Sequence, residues 1–279
     1  MGTIGAQIVS VDGLRLRVAV RGSGQPLLLV MGIGGSIEMW QPLVDALPGF
    51  QTIAFDAPGS GESERPSRPL RMPSLARLTD GMLAALGYRR VDVLGVSYGG
   101  AIAQQLAYQH PARVRRLVLA ATTCGLGGVP GNPMALLLLA TPYRYHSRTF
   151  FKAVAPRLYG GATGRRPELA EQQALARLLR PPSLRGYLLQ LTAIAGWSSL
   201  RFLHRIRQPT LVMTGDDDPI IPAVNGRILA GRIPAAKLHL VHGGGHLFLL
   251  DQAAESAAVI GQFLRSNEPS SERCSSAAP

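Results

Sequence analysis

Cysteine is almost missing from this chain of 279 residues: only Cys124 and Cys274 occur. One falls at the end of an apolar run and the other in a polar tail. No structural disulfide is expected, as suits a reducing compartment. Lysine is equally scarce, with Lys152 and Lys237 alone, so arginine carries nearly all of the formal net charge of +12. No dense Lys/Arg run with interleaved aromatics is present, which speaks against nucleic acid as a partner. No apolar run approaches the roughly 18 residues that cross a bilayer. The opening MGTIGAQIVS has no basic stretch leading into an apolar one. We expect a cytoplasmic protein without a transmembrane segment. Phosphate-cradling loops are missing too, since neither G-x-G-x-x-G nor G-x-x-x-x-G-K-[ST] occurs. What the chain does have is 46% hydrophobic residues, enough to bury a substantial core.

Those hydrophobic residues recur as short runs. Ala6–Val11 and Leu14–Val20 flank the turn pair Asp12-Gly13. Leu27–Met31, Thr52–Phe55, Val91–Val96, Arg116–Ala121, Thr210–Thr214 and Lys237–Val241 follow, several of them continuously apolar, as strands covered on both faces are. Helix-like segments alternate with them at Glu38–Leu47, Leu75–Leu86, Gly99–His110, Ala223–Ile233 and Ala253–Arg265. A leading hairpin followed by βαβ alternation implies an α/β fold: an eight-stranded, mostly parallel sheet with helices on both faces. The alternation stops between the sixth and seventh runs. There the chain reads as amphipathic helices broken by Pro142, Pro156, Gly160-Gly161, Pro181-Pro182 and Gly196, an inserted helical cap. We expect a core of residues 1–124 and 206–267, a cap or lid of 125–205, and a disordered tail of 268–279.

A parallel sheet binds ligands beyond the carboxyl ends of its strands, and that edge collects the chemistry. Ser97, in GVSYGG, stands between a strand and a helix; Gly95 and Gly99 remove the side chains that would crowd a sharp turn there. A serine hydroxyl needs a base. Of six histidines, His246 leaves the last strand through Gly243-Gly244-Gly245 at the same edge. His242 is nearer the strand end and less free to reach, and His239 lies within the strand. The base needs a carboxylate to orient it. TGDDDPIIP supplies Asp216, Asp217 and Asp218, and Pro219 restricts the backbone of Asp218, which we take as the orienter. The loop Met31-Gly32-Ile33-Gly34-Gly35 follows another strand. The amides of Ile33 and Tyr98 are the expected oxyanion donors, with Gly32 and Met31 against the substrate. Phe55–Ser63, FDAPGSGES, reads as a turn shaping the same rim.

From about residue 10 to 265 the sequence resembles the α/β-hydrolases, whose chain order is serine, acid, histidine. It resembles most the intracellular depolymerases of medium-chain-length polyhydroxyalkanoates. Gly32-Ile33-Gly34, IAFDAPGSG, GVSYGGAIAQQLA, LVLAAT, the cap segments APRLYGG, RRPELA and GWSSLRFLHRI, then QPTLVMTGDDDPIIP and GGGHLFLL carry the resemblance. It implies a triad of Ser97, Asp218 and His246 that hydrolyses polyester to hydroxy acids or oligomers without metal or organic cofactor. Two positions depart from the subgroup: Met31 replaces an asparagine before Gly-Ile-Gly, and Tyr98 replaces a tryptophan after the serine. Both are expected to line the site and bear on acyl preference. Other readings on the same frame are a small-ester or lactone carboxylesterase, a C–C bond hydrolase, and a non-catalytic ligand-binding member.

Residues 125–208 hold twelve arginine and lysine residues against only Glu168 and Glu171, interleaved with leucines. The expected partner is a hydrophobic ester, with an insoluble polyester granule surface as a candidate. In the plainest reading the leucines form the cap's own core and the arginines its wetted face. Against that reading, we expect enough leucines to stay exposed to dock the cap on the granule, with Arg165 and Arg166 meeting an anionic surface.

Overall fold

A computed structural model of the protein describes residues 5–266. The tail from 268 and Cys274 lie outside the described residues, and Cys124 is buried with a free thiol. Eight strands form one sheet: β1 (Gln7–Val11), β2 (Leu14–Arg21), β3 (Gln25–Val30), β4 (Phe50–Phe55), β5 (Val91–Val96), β6 (Val114–Ala120), β7 (Thr210–Gly215) and β8 (Ala236–Val241). Their order is β1-β2-β4-β3-β5-β6-β7-β8. Asp12 and Gly13, both at positive φ, close the leading hairpin. β2 runs antiparallel to β4, and every later pairing is parallel. The largely apolar runs β3, β5 and β7 are central strands, where burial on both faces favours such residues.

Helices α1 (Gln41–Asp45), α2 (Met72–Ala85) and α3 (Tyr98–Gln109) alternate with the early strands. After β6 come five helices without a strand between them: α4 (Pro133–Leu139), α5 (Arg148–Tyr159), α6 (Gly161–Arg165), α7 (Pro167–Leu179) and α8 (Leu184–Ile194). α9 (Val224–Arg232), α10 (Phe248–Asp251) and α11 (Ala253–Arg265) complete the chain. Among the described residues no helix is long and apolar enough to cross a membrane. Phe151, Ala155, Leu158, Ala170 and Ala174 of the inserted helices pack with Ile220 and Leu247 of the core loops. The insertion is thus seated on the loops that leave β7 and β8.

The burial pattern of the insertion inverts the plain reading of its sequence. In α7 the buried face is Ala170, Gln173, Ala174 and Arg177, spaced i, i+3, i+4, i+7, while Leu175 and Leu179 are exposed. In α4, Met134, Leu136 and Leu137 are exposed and Ala135 is buried. Arg165 is not free either: its guanidinium binds Asp217 Oδ2 at 2.6 Å and the Gly243 carbonyl at 2.8 Å.

One buried ion network ties the insertion to the early strands. Arg17 of β2 meets Glu38 at 2.7 Å and Asp56 at 3.1 Å, and Arg180, just past α7, reaches Glu38 at 3.0 Å. Burial alone would push the Glu38 carboxyl up. Hydrogen bonds from Arg17 and the backbone outweigh it and hold the group at about 2. A depressed carboxyl stabilises the fold above its unfolded value and loses that contribution as pH falls through the folded one. Glu38→Gln should therefore be less stable than wild type at pH 7, by roughly 1–2 kcal/mol once solvent screening is allowed for. The gap should close between pH 4.5 and 2. Urea denaturation at pH 7, 4 and 3 checks this; a gap independent of pH would contradict the assignment.

Candidate active site

Ser97 sits where β5 turns into α3 at φ 54° and ψ −118°, a conformation that costs a non-glycine residue about 1–3 kcal/mol. The surroundings force it. Ser97 N donates to Ala120 O at 3.0 Å, and its carbonyl accepts from Gly100 N at 2.9 Å and Thr122 Oγ1 at 2.7 Å. A Cβ on Gly99 would lie 2.0 Å from the Val30 carbonyl oxygen, and one on Gly95 would lie 2.5 Å from that of Gly99. Only glycine at both positions lets strand and helix approach closely enough for this turn.

His246 comes to the same place from β8. Its ring Nδ1 is 2.8 Å from Asp218 Oδ2, and the Asp218 side chain is fully buried. Asp218 Oδ1 accepts from the amides of Ile220 and Ile221 at 2.8 and 2.9 Å, which fixes the carboxylate in the turn after β7. With Nδ1–H donating to a carboxylate, Nε2 is left as the acceptor. The glycine loop before His246 is clamped against the end of α5. His246 N donates to Tyr159 O at 2.7 Å, and a Cβ on Gly161 would lie 2.1 Å from Gly245 N. The rings of His246 and Tyr159 stack at 6.4 Å.

The neighbouring acids are occupied elsewhere. Asp217 accepts from Gly161 N and Arg165, while Asp216 binds Gly243 N and the exposed His242 ring. His239 lies within β8.

Ser97 and His246 line one cavity, together with Met31, Gly32 and Ile33. A Cβ on Gly32 would come within 4.0 Å of Ser97 Oγ, so the loop after β3 runs beside the hydroxyl. Gly35 N donates to Gly32 O at 3.0 Å, a tight turn around Ile33 and Gly34. Tyr98 opens α3, where first-turn amides have no intrahelical partner. Its side chain is a correction to the expectation that both departures line the site. Met31 lines the cavity with Ser97; the Tyr98 ring instead enters a separate crevice with Leu70, Leu75 and Leu189. Burial there raises the Tyr98 phenol, and its hydroxyl has no partner.

Residues that the sequence alone did not single out hold this loop in place. Tyr145 Oη donates to Ile33 O at 2.6 Å, and Gly34 N donates to Gln190 Oε1 at 2.8 Å. Gln190 Nε2 reaches the Pro58 carbonyl at 3.1 Å and Ser60 Oγ at 2.8 Å, binding FDAPGSGES to the same latch. Arg144, Tyr159 and Arg177 also face the cavity. A lone glutamine or tyrosine on a helix carries no motif; only its place in the fold marks it.

This chain belongs to the α/β-hydrolase family, whose fold model matches residues 25–159 and 174–253. Within it, the chain is 47% identical to a poly(3-hydroxyalkanoate) depolymerase of Ectopseudomonas oleovorans, over 92% of this chain and 91% of that one. It is 33% identical to a 2-hydroxymuconate semialdehyde hydrolase of Pseudomonas putida over 94% of each. An esterase structure from Thermogutta terrifontis superimposes with a TM-score of 0.78 at 27% identity, covering 93% of this chain and 98% of that one.

Proposed function

We propose that the protein is a serine ester hydrolase that cuts medium-chain polyhydroxyalkanoate to hydroxy acids or oligomers. The observation that carries the chemistry is the buried 2.8 Å bond between His246 and Asp218, beside a strained Ser97 on one apolar cavity. His246 Nε2 takes the hydroxyl proton as Ser97 Oγ attacks the ester carbonyl. The amides of Ile33 and Tyr98 receive the oxyanion. The imidazolium then protonates the departing alcohol, and water, deprotonated by the same nitrogen, frees the acid from Ser97. Asp218 keeps the ring in the working tautomer. The polyester assignment draws on the 47% identity, which extends across the inserted helices. Rates on a medium-chain polyester emulsion, p-nitrophenyl esters and a meta-cleavage product test it. Turnover of the last alone would replace ester with C–C bond hydrolysis.

Residues 125–205 serve in this reading as the cap over Ser97, and Gln190 as a positioning residue for the oxyanion loop. Gln190→Leu leaves Gly34 N and the rim at Ser60 without their partner. A stability loss of about 1–3 kcal/mol should follow. Because Ile33 then shifts under the oxyanion, kcat on p-nitrophenyl octanoate should fall roughly tenfold, with KM little changed. A change in KM alone would make Gln190 a substrate contact instead.

The cap surface supports granule docking. Among the described residues, ten of the twelve exposed large hydrophobic side chains lie between Leu126 and Leu188. Leu136→Ser with Leu137→Ser should lower turnover of polyester particles severalfold relative to that of a soluble ester. An unchanged ratio would remove α4 from the docking face.

A further inference from the structure

Two of the cap's basic residues turn inwards. Arg144 and Arg177 are each 2% exposed, and both line the cavity shared by Ser97 and His246. A buried guanidinium is costly unless an anion or a full set of hydrogen bonds compensates it. Arg144 donates to neutral oxygens, the hydroxyls of Tyr159 at 3.0 Å and Tyr187 at 2.8 Å and the carbonyls of Thr141 at 2.7 Å and Leu139 at 3.4 Å, and lies over the rings of Tyr145 and Tyr187. Arg177 donates to the Gln173 carbonyl and Oε1, at 3.1 and 2.8 Å, and lies over the rings of Phe151 and Tyr159. Its Nε is buried with no partner.

Among the described residues, no carboxylate forms an ion pair with either arginine. The carboxylate nearest in the network, Asp251, accepts from Gln173 Nε2 at 3.0 Å, so an amide stands between it and Arg177. The charge is felt by Asp251, on which Arg177 acts across that amide, and by Tyr159. Burial raises its phenol, yet Arg144 and Arg177 together draw it below its ordinary range.

The rest of the cavity wall is apolar, with Met31, Met39, Trp40, Leu139, Leu249 and Leu250. An apolar chamber with two guanidinium groups that no carboxylate bonds directly fits one chemical class: an alkyl chain that carries a carboxylate. A neutral ester would fill the chamber and leave both guanidinium groups without an anion. A linear hydroxyacyl polyester has one such group, at its carboxyl end.

We propose that Arg144 and Arg177 form a carboxylate subsite that receives the free carboxyl end of the hydroxyacyl chain whose ester is cut at Ser97. The proposal rests on the ester-hydrolase reading above. It makes the enzyme work inward from the carboxyl end. The same charge would hold a released hydroxy acid, so the test separates chain end from product.

Hydrolysis is measured on the linear dimer of 3-hydroxyoctanoate, as the free acid and as its methyl ester. Binding of 3-hydroxyoctanoate and its methyl ester to Ser97→Ala protein is measured by calorimetry. Wild type should cleave the acid dimer with a kcat/KM about tenfold or more above that of the methyl ester, as charge-assisted hydrogen bonds provide. Arg144→Met and Arg177→Met should each bring that ratio towards one. The wild-type comparison stands even if a variant fails to fold. Equal cleavage of both dimers overturns the chain-end subsite, and does so even if the monomer acid binds, which would then mark a product site. Turnover of p-nitrophenyl octanoate is scored in parallel. Its absence defeats the ester-hydrolase reading, whereas its presence with an acid-to-ester ratio near one defeats the carboxylate subsite alone.

Discussion

Ser97→Ala and His246→Ala should each lower ester turnover by about 10⁴–10⁶-fold, to the residue left by oxyanion stabilisation and binding. The loss is expected without unfolding. What holds the Ser97 turn is its backbone, through Ala120 O, Gly100 N and Thr122 Oγ1, and alanine keeps all three. The strain at φ 54° is kept as well, since alanine tolerates that region no better than serine. Initial rates on p-nitrophenyl octanoate, a thermal melt and labelling by a fluorophosphonate together check this. Wild type should label once, at Ser97, and Ser97→Ala not at all. A Ser97→Ala protein that melts like wild type and keeps more than a tenth of its rate would move the nucleophile elsewhere.

Asp218→Asn should cost about 10⁴-fold in kcat. The carboxylate accepts a hydrogen bond from Nδ1–H of His246, with both side chains buried. An asparagine presenting its NH₂ there would favour the other tautomer and carry the proton to Nε2, where a lone pair is needed. Asp216→Asn and Asp217→Asn should stay within about tenfold of wild type, because neither carboxylate touches the His246 ring. Asp216 serves His242 and Gly243, and Asp217 serves Gly161 and Arg165. Rates for the three variants on one soluble ester decide the matter. A dead Asp217→Asn beside a healthy Asp218→Asn would reverse the assignment of the orienter.

Much of this was legible from residue order. The parallel core is legible because strands buried on both faces are mostly apolar, as β5 and β7 are apart from Asp92, Thr210 and Thr214. The histidine loop is legible because three consecutive glycines at a strand end have few other uses. The inserted helices are legible in number but not in phase. In α7 the leucines suggest the inward face, yet that face belongs to Ala170, Gln173, Ala174 and Arg177. Small residues there let α7 pack against α5 (Phe151, Ala155, Leu158), Arg177 looks towards the cavity, and Gln173 binds Asp251. A hydrophobicity pattern assumes that the core is the driest place available. A helix between a ligand chamber and an outer apolar surface breaks that assumption from both sides. Tyr98 departs for a different reason: its ring enters a crevice apart from the cavity that Ser97 lines.

The latch through Gln190 and Tyr145 bears on how such enzymes can be recombined. A cap transplanted from a relative along the boundary at 125 and 205 would bring new neighbours for the carbonyl of Ile33, the amide of Gly34 and the hydroxyl of Ser60. The exchangeable unit is therefore discontinuous: the five cap helices together with 31–36 and 56–60. Chimeras that respect this seam should inherit the donor's substrate preference with the recipient's rate. Those cut at 125 and 205 alone should lose rate before they gain a new preference.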